Sequence, residues 1–350
     1  MRTLFSTMGL PEATAAVMML SLNAYALMGG ADFGGGVWDL LASGPRKDEQ
    51  RALVARAIGP IWEANHVWLI VAVVVLFTSF PTVFAIIGTA LHIPLTLMLV
   101  GIVLRGSAFA FRTYGSVGTS TGGPWERVFA LSSVITPFFL GVIVGTLASG
   151  AVGERMVGGE LRLGDSFATV FIAPWAAPFP AAVGVMAVAL FAFLAAVYLA
   201  LEARDDALRN DFRQRALGAA LAVFVSAFGA LAVSYWEAPR VRWGLTVSAW
   251  AVAFHVATGA SAVTAVIALW HRRWSLARFA AAAQVSLILW GWALSQYPYL
   301  IPQALTIRDA ASPRATLALL VWALVAGALV LLPSLIYLFR TFSSAPTRQT

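Results

Sequence analysis

The stretch GPIWEANHVWLIVAVVVLFTSFP, residues 59–81, decides the fold. Gly59 and Pro60 signal a helix start, because proline is tolerated where the N–H has no partner inside the helix. Pro81 marks the stop. The roughly 20 residues between them, at about 1.5 Å each, span about 30 Å, the thickness of a bilayer core. Residues 67–77 are almost purely apolar, whereas Trp62, Glu63, Asn65 and His66 crowd the first turn. Glu63 and His66 are three apart and share a helix face. An acid and an imidazole at the mouth of a spanning helix are costly unless paired or hydrated, which makes this turn the first candidate site.

Composition agrees with a membrane protein. The 350 residues are 60% hydrophobic and 11% charged, with a mean hydropathy of +0.82; soluble domains carry about 25% charged residues. The chain has no cysteine, which excludes disulfides and thiolate metal ligands, and its four histidines (His66, His92, His255, His271) limit any haem or metal reading. The net charge of +7 lies in short loops. It is a topology signal and does not point to nucleic acid.

Outward from the central stretch, the pattern predicts an all-α polytopic protein of about nine transmembrane helices, forming one transmembrane domain over 1–350. Residues 11–31 read as a first span, a signal anchor without a small-residue cleavage site. Its end, GGADFGGGVWD, reads as a turn, where Gly and Asp are favoured. A charged connector fills 40–58. Further spans are predicted at 83–111, 126–149, 178–201, 212–235, 245–270, 278–297 and 315–339, with a polar loop at 150–173 and a tail at 340–350. Two four-helix bundles plus one peripheral helix fit this count. Arg and Lys are richer in alternate loops, with the connector and the 204–215 loop on the rich side. The positive-inside rule then places the N-terminus outside, the C-terminus in the cytoplasm, and Asp32 with the first turn of 59–81 at the cytoplasmic side.

Each candidate residue has two readings. Glu63 is a carboxyl that loads and unloads protons, or an interfacial acid capping its own helix. Asp32 is a proton or ion ligand, or the turn residue already described. His66 partners Glu63, ligates a haem or donates to a carbonyl; a lone histidine makes no bis-histidine site. Arg105 snorkels to the surface or pairs with a buried acid, and the first reading is favoured. Asp309, in LTIRDAASPR, reads as a loop turn. The Gly141–Gly145 spacing fits close helix packing.

Five segments carry a resemblance: GGADFGGGVWDLL (29–41), GPIWEANHVWLI (59–70), LFTSFP (76–81), VLRGSAFAFR (103–112) and QYPYLIPQALTIRDAAS (296–312). In this order they resemble the second subunit of cytochrome bd-type quinol oxidases, including its cyanide-insensitive branch. The resemblance implies a nine-helix, haem-free subunit in a bacterial cytoplasmic membrane. Its partner would be a haem-bearing subunit I with b-type haems, d-type haems or both, which couples quinol oxidation to reduction of dioxygen to water. It also implies a proton path from the cytoplasm, room for a structural quinone and lipid, and in some members a small accessory subunit. The family acid after the tryptophan maps onto Glu63 and the second glycine-run acid onto Asp32, while Trp62, Asn65 and Trp68 fall on matching positions and Arg105 and Asp309 lie in the later motifs. Gly29 stands where the family has its first glycine-run acid. Glu63 stands where aspartate is more familiar. Both departures imply a divergent branch. The alternative function is a stand-alone secondary transporter in which Glu63 and Asp32 bind coupling protons.

Overall fold

The structure is a computed structural model and describes residues 9–58, 62–114, 124–157, 160–161 and 166–343. It departs from the sequence reading first at α1 (Leu10–Leu40), which runs unbroken through the glycine run to Leu40. Asp32 is therefore a buried helical residue and not a turn. Glycine lowers helix stability by about 1 kcal/mol relative to alanine, but here close packing takes precedence. A Cβ on Gly34 would collide with the carbonyl of Phe191, and one on Gly36 with the hydroxyl of Ser133. The glycines let neighbouring helices approach backbone to backbone, as small residues do in membrane proteins.

After α1 the connector is itself partly helical, as α2 (Lys47–Ile58). Then come α3 (Trp62–Ser79), α4 (Pro81–Ala90), α5 (His92–Tyr114), α6 (Pro124–Ser149), α7 (Phe167–Phe171), α8 (Pro178–Glu202), α9 (Asp206–Glu237), α10 (Pro239–Thr246), α11 (Ala251–Trp270), α12 (Trp274–Gln296) and α13 (Arg314–Ser343). Among the described residues, eight helices are long and apolar enough to cross a membrane, or nine if the bent pair α3–α4 is one span. The predicted span 83–111 is thus two elements: α4 turns back from α3 by 116°, and only α5 is a span in its own right. Pro137 does not interrupt α6.

The spans pack as two four-helix bundles, α1–α3–α5–α6 and α8–α9–α11–α12, with α13 lying against α1 and α3. The bundles join where α8 packs against α1 and α6. The most apolar window of α8 is 61% buried, against 6% for α13, which places one at the centre and the other at the periphery. Gly141 and Gly145 of α6 meet the backbone of α8 at Val183, Gly184 and Pro180, so their spacing does mark a close helix contact. Trp38 adds a polar tie, its indole N–H donating to the carbonyl of Ala192 at 2.7 Å.

The break after α3 frees carbonyls that an uninterrupted helix would satisfy. The segment around Asp309 supplies the donors. Ser312 gives its backbone N–H to Ser79 O at 2.8 Å and its hydroxyl to Thr78 O at 2.7 Å. That segment carries an antiparallel pair, β3 (Tyr299–Ile301) with β4 (Leu305–Thr306), in the register Tyr299↔Thr306 and Ile301↔Leu305. A second pair, β1 (Met156–Val157) with β2 (Glu160–Leu161), lies in the 150–173 loop.

Candidate functional site

The first bundle closes around one ion pair. Asp32 of α1 and Arg105 of α5 are 0% and 1% exposed. Nη2 of Arg105 lies 2.6 Å from Asp32 Oδ1 and Nη1 lies 3.0 Å from Oδ2, a bidentate fork. Nη2 also donates to the backbone carbonyl of Asp32 at 2.8 Å, and Nε donates to the Ser133 hydroxyl of α6 at 3.1 Å. Ser133 in turn donates to Phe129 O at 2.7 Å. The Phe33 and Phe129 rings hold the guanidinium, with centroids 4.8 and 4.9 Å from Cζ. Such an arrangement suits arginine and not lysine, because the planar fork makes several directed bonds and stacks on rings at the same time.

α3 contributes Asn65, which is fully buried and whose Nδ2 makes a long contact of 3.5 Å to Asp32 Oδ2. Gly29 makes room for it: a Cβ there would sit 3.1 Å from Asn65 Nδ2 and 3.3 Å from Oδ1. Asn65 Oδ1 and Trp68 Nε1, one turn apart on α3, are buried polar atoms without a hydrogen-bond partner among the described residues, as is the hydroxyl of Tyr25. The site thus gathers side chains from α1, α3, α5 and α6, and its polar atoms are not fully matched.

The predicted residues divide accordingly. Asp32, Asn65 and Arg105 come together. Arg105 pairs with an acid and does not snorkel, because the acceptor lies in the adjacent helix and three of its nitrogens are engaged there. His66 is half-buried and, as Asn65's neighbour in sequence, points about 100° around α3 from it. The side chains of Trp62 and Glu63 lie outside the described residues. Asp309 is exposed and distant, accepting from the Thr306 hydroxyl at 2.6 Å in a local turn. His92 and His255 bond backbone carbonyls one turn back, at Thr89 and Ala251. Sequence reasoning missed Ser133, Phe33 and Phe129; the Ser132–Ser133 pair inside an apolar span was the one available signal.

At this end of the bundle the connector is tied down by charge. Arg46 forks onto Asp211 of α9, with Nη2–Oδ1 at 2.5 Å and Nε–Oδ2 at 2.8 Å. Gln50 donates to Asp211 at 3.0 Å and accepts from Arg215 at 2.7 Å. The hydrogen bond and charge of Asp211 push the Arg46 guanidinium above its ordinary value. Arg51 reaches Glu126 of α6 at 3.1 Å.

Fold and site together define a polytopic α-helical membrane protein whose first bundle is locked by a buried arginine–carboxylate pair. The family model for cytochrome bd terminal oxidase subunit II matches residues 10–342, and the chain belongs to that family. A Bacillus subtilis (strain 168) protein, cytochrome bd ubiquinol oxidase subunit 2, is 37% identical over 122 residues, 35% of each chain. The cytochrome bd-I ubiquinol oxidase subunit 2 of Escherichia coli (strain K12) is 29% identical over 129 residues, 37% of this chain and 33% of that one. The aligned stretches therefore span about a third of these curated relatives. The fold is that of a chain in the structure of bd oxidase from Geobacillus thermodenitrificans, with a TM-score of 0.77 over 96% of this chain and 99% of that one at 24% identity.

Proposed function

We propose that this chain is the haem-free second subunit of a terminal quinol:oxygen oxidoreductase in a bacterial cytoplasmic membrane. In this reading it stabilises a haem-bearing subunit I and carries protons inward from the cytoplasm. The observation that carries the reading is the buried Asp32–Arg105 pair with Asn65 beside it, in a chain of this family, just inside the Arg-rich end of the spans. By the positive-inside rule that end is cytoplasmic, with the N-terminus outside and the C-terminus inside. Haems of b type, d type or both belong to the partner in this reading, and a quinone or a small accessory subunit belongs to the assembly.

The geometry supports a division of roles within this reading. Both carboxylate oxygens of Asp32 are engaged by Arg105, so Asp32 is a fixed charge beside the path and positions its neighbours. Glu63 and His66, in the first turns of α3, take the mobile proton. Asn65 links the two groups of residues, since it shares a helix turn with Glu63 and His66 and contacts Asp32.

The test is purification through this chain, followed by a reduced-minus-oxidised spectrum and oxygen consumption with quinol. A larger second subunit with haem bands supports the reading, and Glu63→Gln should then slow oxygen reduction while leaving the haem bands and subunit ratio intact. Unchanged turnover in Glu63→Gln would remove the proton role. A colourless, stable single chain would move the function to a proton-coupled transporter.

A further inference from the structure

At the end of the spans opposite Asp32, α9 and α10 enclose an open cleft of about 610 Å³. Its floor is one face of α9, with Phe228, Leu231 and Ala232 at helical spacing. Its rim carries Tyr235 and Trp236, 60% and 76% exposed, where a membrane-surface aromatic belt would lie. Its single charged lining residue is Arg242 of α10.

Arg242 is poised but not satisfied. Its guanidinium carbon lies 4.3 Å from the centroid of the Tyr235 ring. Its Nε is buried and has no hydrogen-bond partner among the described residues. The nearest acid in sequence, Glu237, is used elsewhere, accepting from the backbone N–H of Phe179 at 2.7 Å and so capping α8. The cleft therefore presents an apolar trough of small-molecule size that ends in one cation, stacked on Tyr235 and without an acid partner among the described residues.

We propose that this cleft binds one phospholipid, its phosphate on Arg242 and an acyl chain along Phe228, Leu231 and Ala232. Charge decides the class of ligand. The guanidinium of Arg242 lines the cleft without an acid partner among the described residues, and arginine pairs with phosphate in a bidentate manner. A neutral quinone would fill the trough but leave the cation uncompensated. The site stands apart from the Asp32 pair and does not depend on the oxidase reading.

The experiment uses the complex purified through this chain in mild detergent. Retained phospholipid is counted by native mass spectrometry, and phosphatidylglycerol is then titrated back. Wild type should keep one phospholipid that Arg242→Gln loses and Ala232→Trp, which fills the trough, also loses. Arg242→Lys should retain it in part. Loss of a charged hydrogen bond should weaken phosphatidylglycerol binding by roughly tenfold or more in Arg242→Gln. Size-exclusion profiles matching wild type establish that the variants are folded. Equal phospholipid retention in wild type, Arg242→Gln and Ala232→Trp would overturn the proposal. So would loss of a quinone, and not of a phospholipid, from the two variants.

Discussion

Arg105→Met tests whether the Asp32 pair holds the first bundle together. The substitution removes the four hydrogen bonds of the guanidinium, two to the Asp32 carboxylate, one to its carbonyl and one to Ser133. It also leaves Asp32 as a buried anion whose remaining side-chain hydrogen bond among the described residues is the long one from Asn65 at 3.5 Å. Removing one partner of a buried pair costs about 3–5 kcal/mol, chiefly because the survivor is uncompensated. Loss of the contacts with Phe33 and Phe129 adds about 0.5–2 kcal/mol. Against a total stability of about 5–15 kcal/mol, that is enough to deplete the folded protein. Asp32→Asn combined with Arg105→Met removes both charges, and hydrophobic replacement of whole buried pairs is often near neutral. The double variant should therefore recover more than half of the loss. Arg105→Lys should not, since a point charge cannot reach two carboxylate oxygens, a carbonyl and a hydroxyl together. The assay is the fraction of purified protein that stays monodisperse on heating in detergent, compared across the cycle. A single variant as stable as wild type, or a double variant no better than the single, would refute the argument.

Gly34→Val should separate α1 from α8, because even a Cβ there meets the Phe191 carbonyl; overpacking costs about 1–3 kcal/mol, read as a lower melting temperature. Ser312→Ala removes the donor to Thr78 O and should cost about 1 kcal/mol, with faster proteolysis near residue 80 as its local signature. Gly29→Ala should be mild, since Asn65 must move only a few tenths of an ångström. Gly29→Asp should cost clearly more, since it sets a second carboxyl beside Asp32 with one arginine between them. Equal melting temperatures for the two Gly29 variants would contradict that ranking.

The number and type of spans were legible because twenty-residue apolar runs leave few alternatives in a chain this hydrophobic. The stop at Pro81 was legible too, since proline cannot continue α3. The 116° turn that follows was not, because α4 is as apolar as a span and only its pairing with the rest of the fold shows that it folds back. GGADFGGGVWD misled for a physical reason. Local propensity assigns glycine to turns, whereas here Gly29, Gly30, Gly34 and Gly36 face atoms of neighbouring helices at less than a side chain's distance, and a single sequence does not display its neighbours. Arg105 was ambiguous on the same ground. Whether a membrane arginine leaves or stays depends on an acid 73 positions away in sequence.

The resulting arrangement separates holding from moving. Asp32, Arg105 and Ser133 join three helices through bonds that use every heteroatom of the guanidinium. A carboxylate so engaged gains geometric fixity and loses the freedom to rotate toward a donor. Beside it, Asn65 Oδ1 and the Tyr25 hydroxyl are buried polar atoms with no hydrogen-bond partner among the described residues. Buried groups of that kind need water or another partner, so the proton route of the proposed reading is expected along the Asn65 side and not through the ion pair. Gly29 fits the same division. Where the family pattern places an acid, this chain has no side chain, and the Asn65 carboxamide borders the space. In the proposed reading the mobile charge then comes from outside the locked core, by way of the first turns of α3 that carry Glu63 and His66.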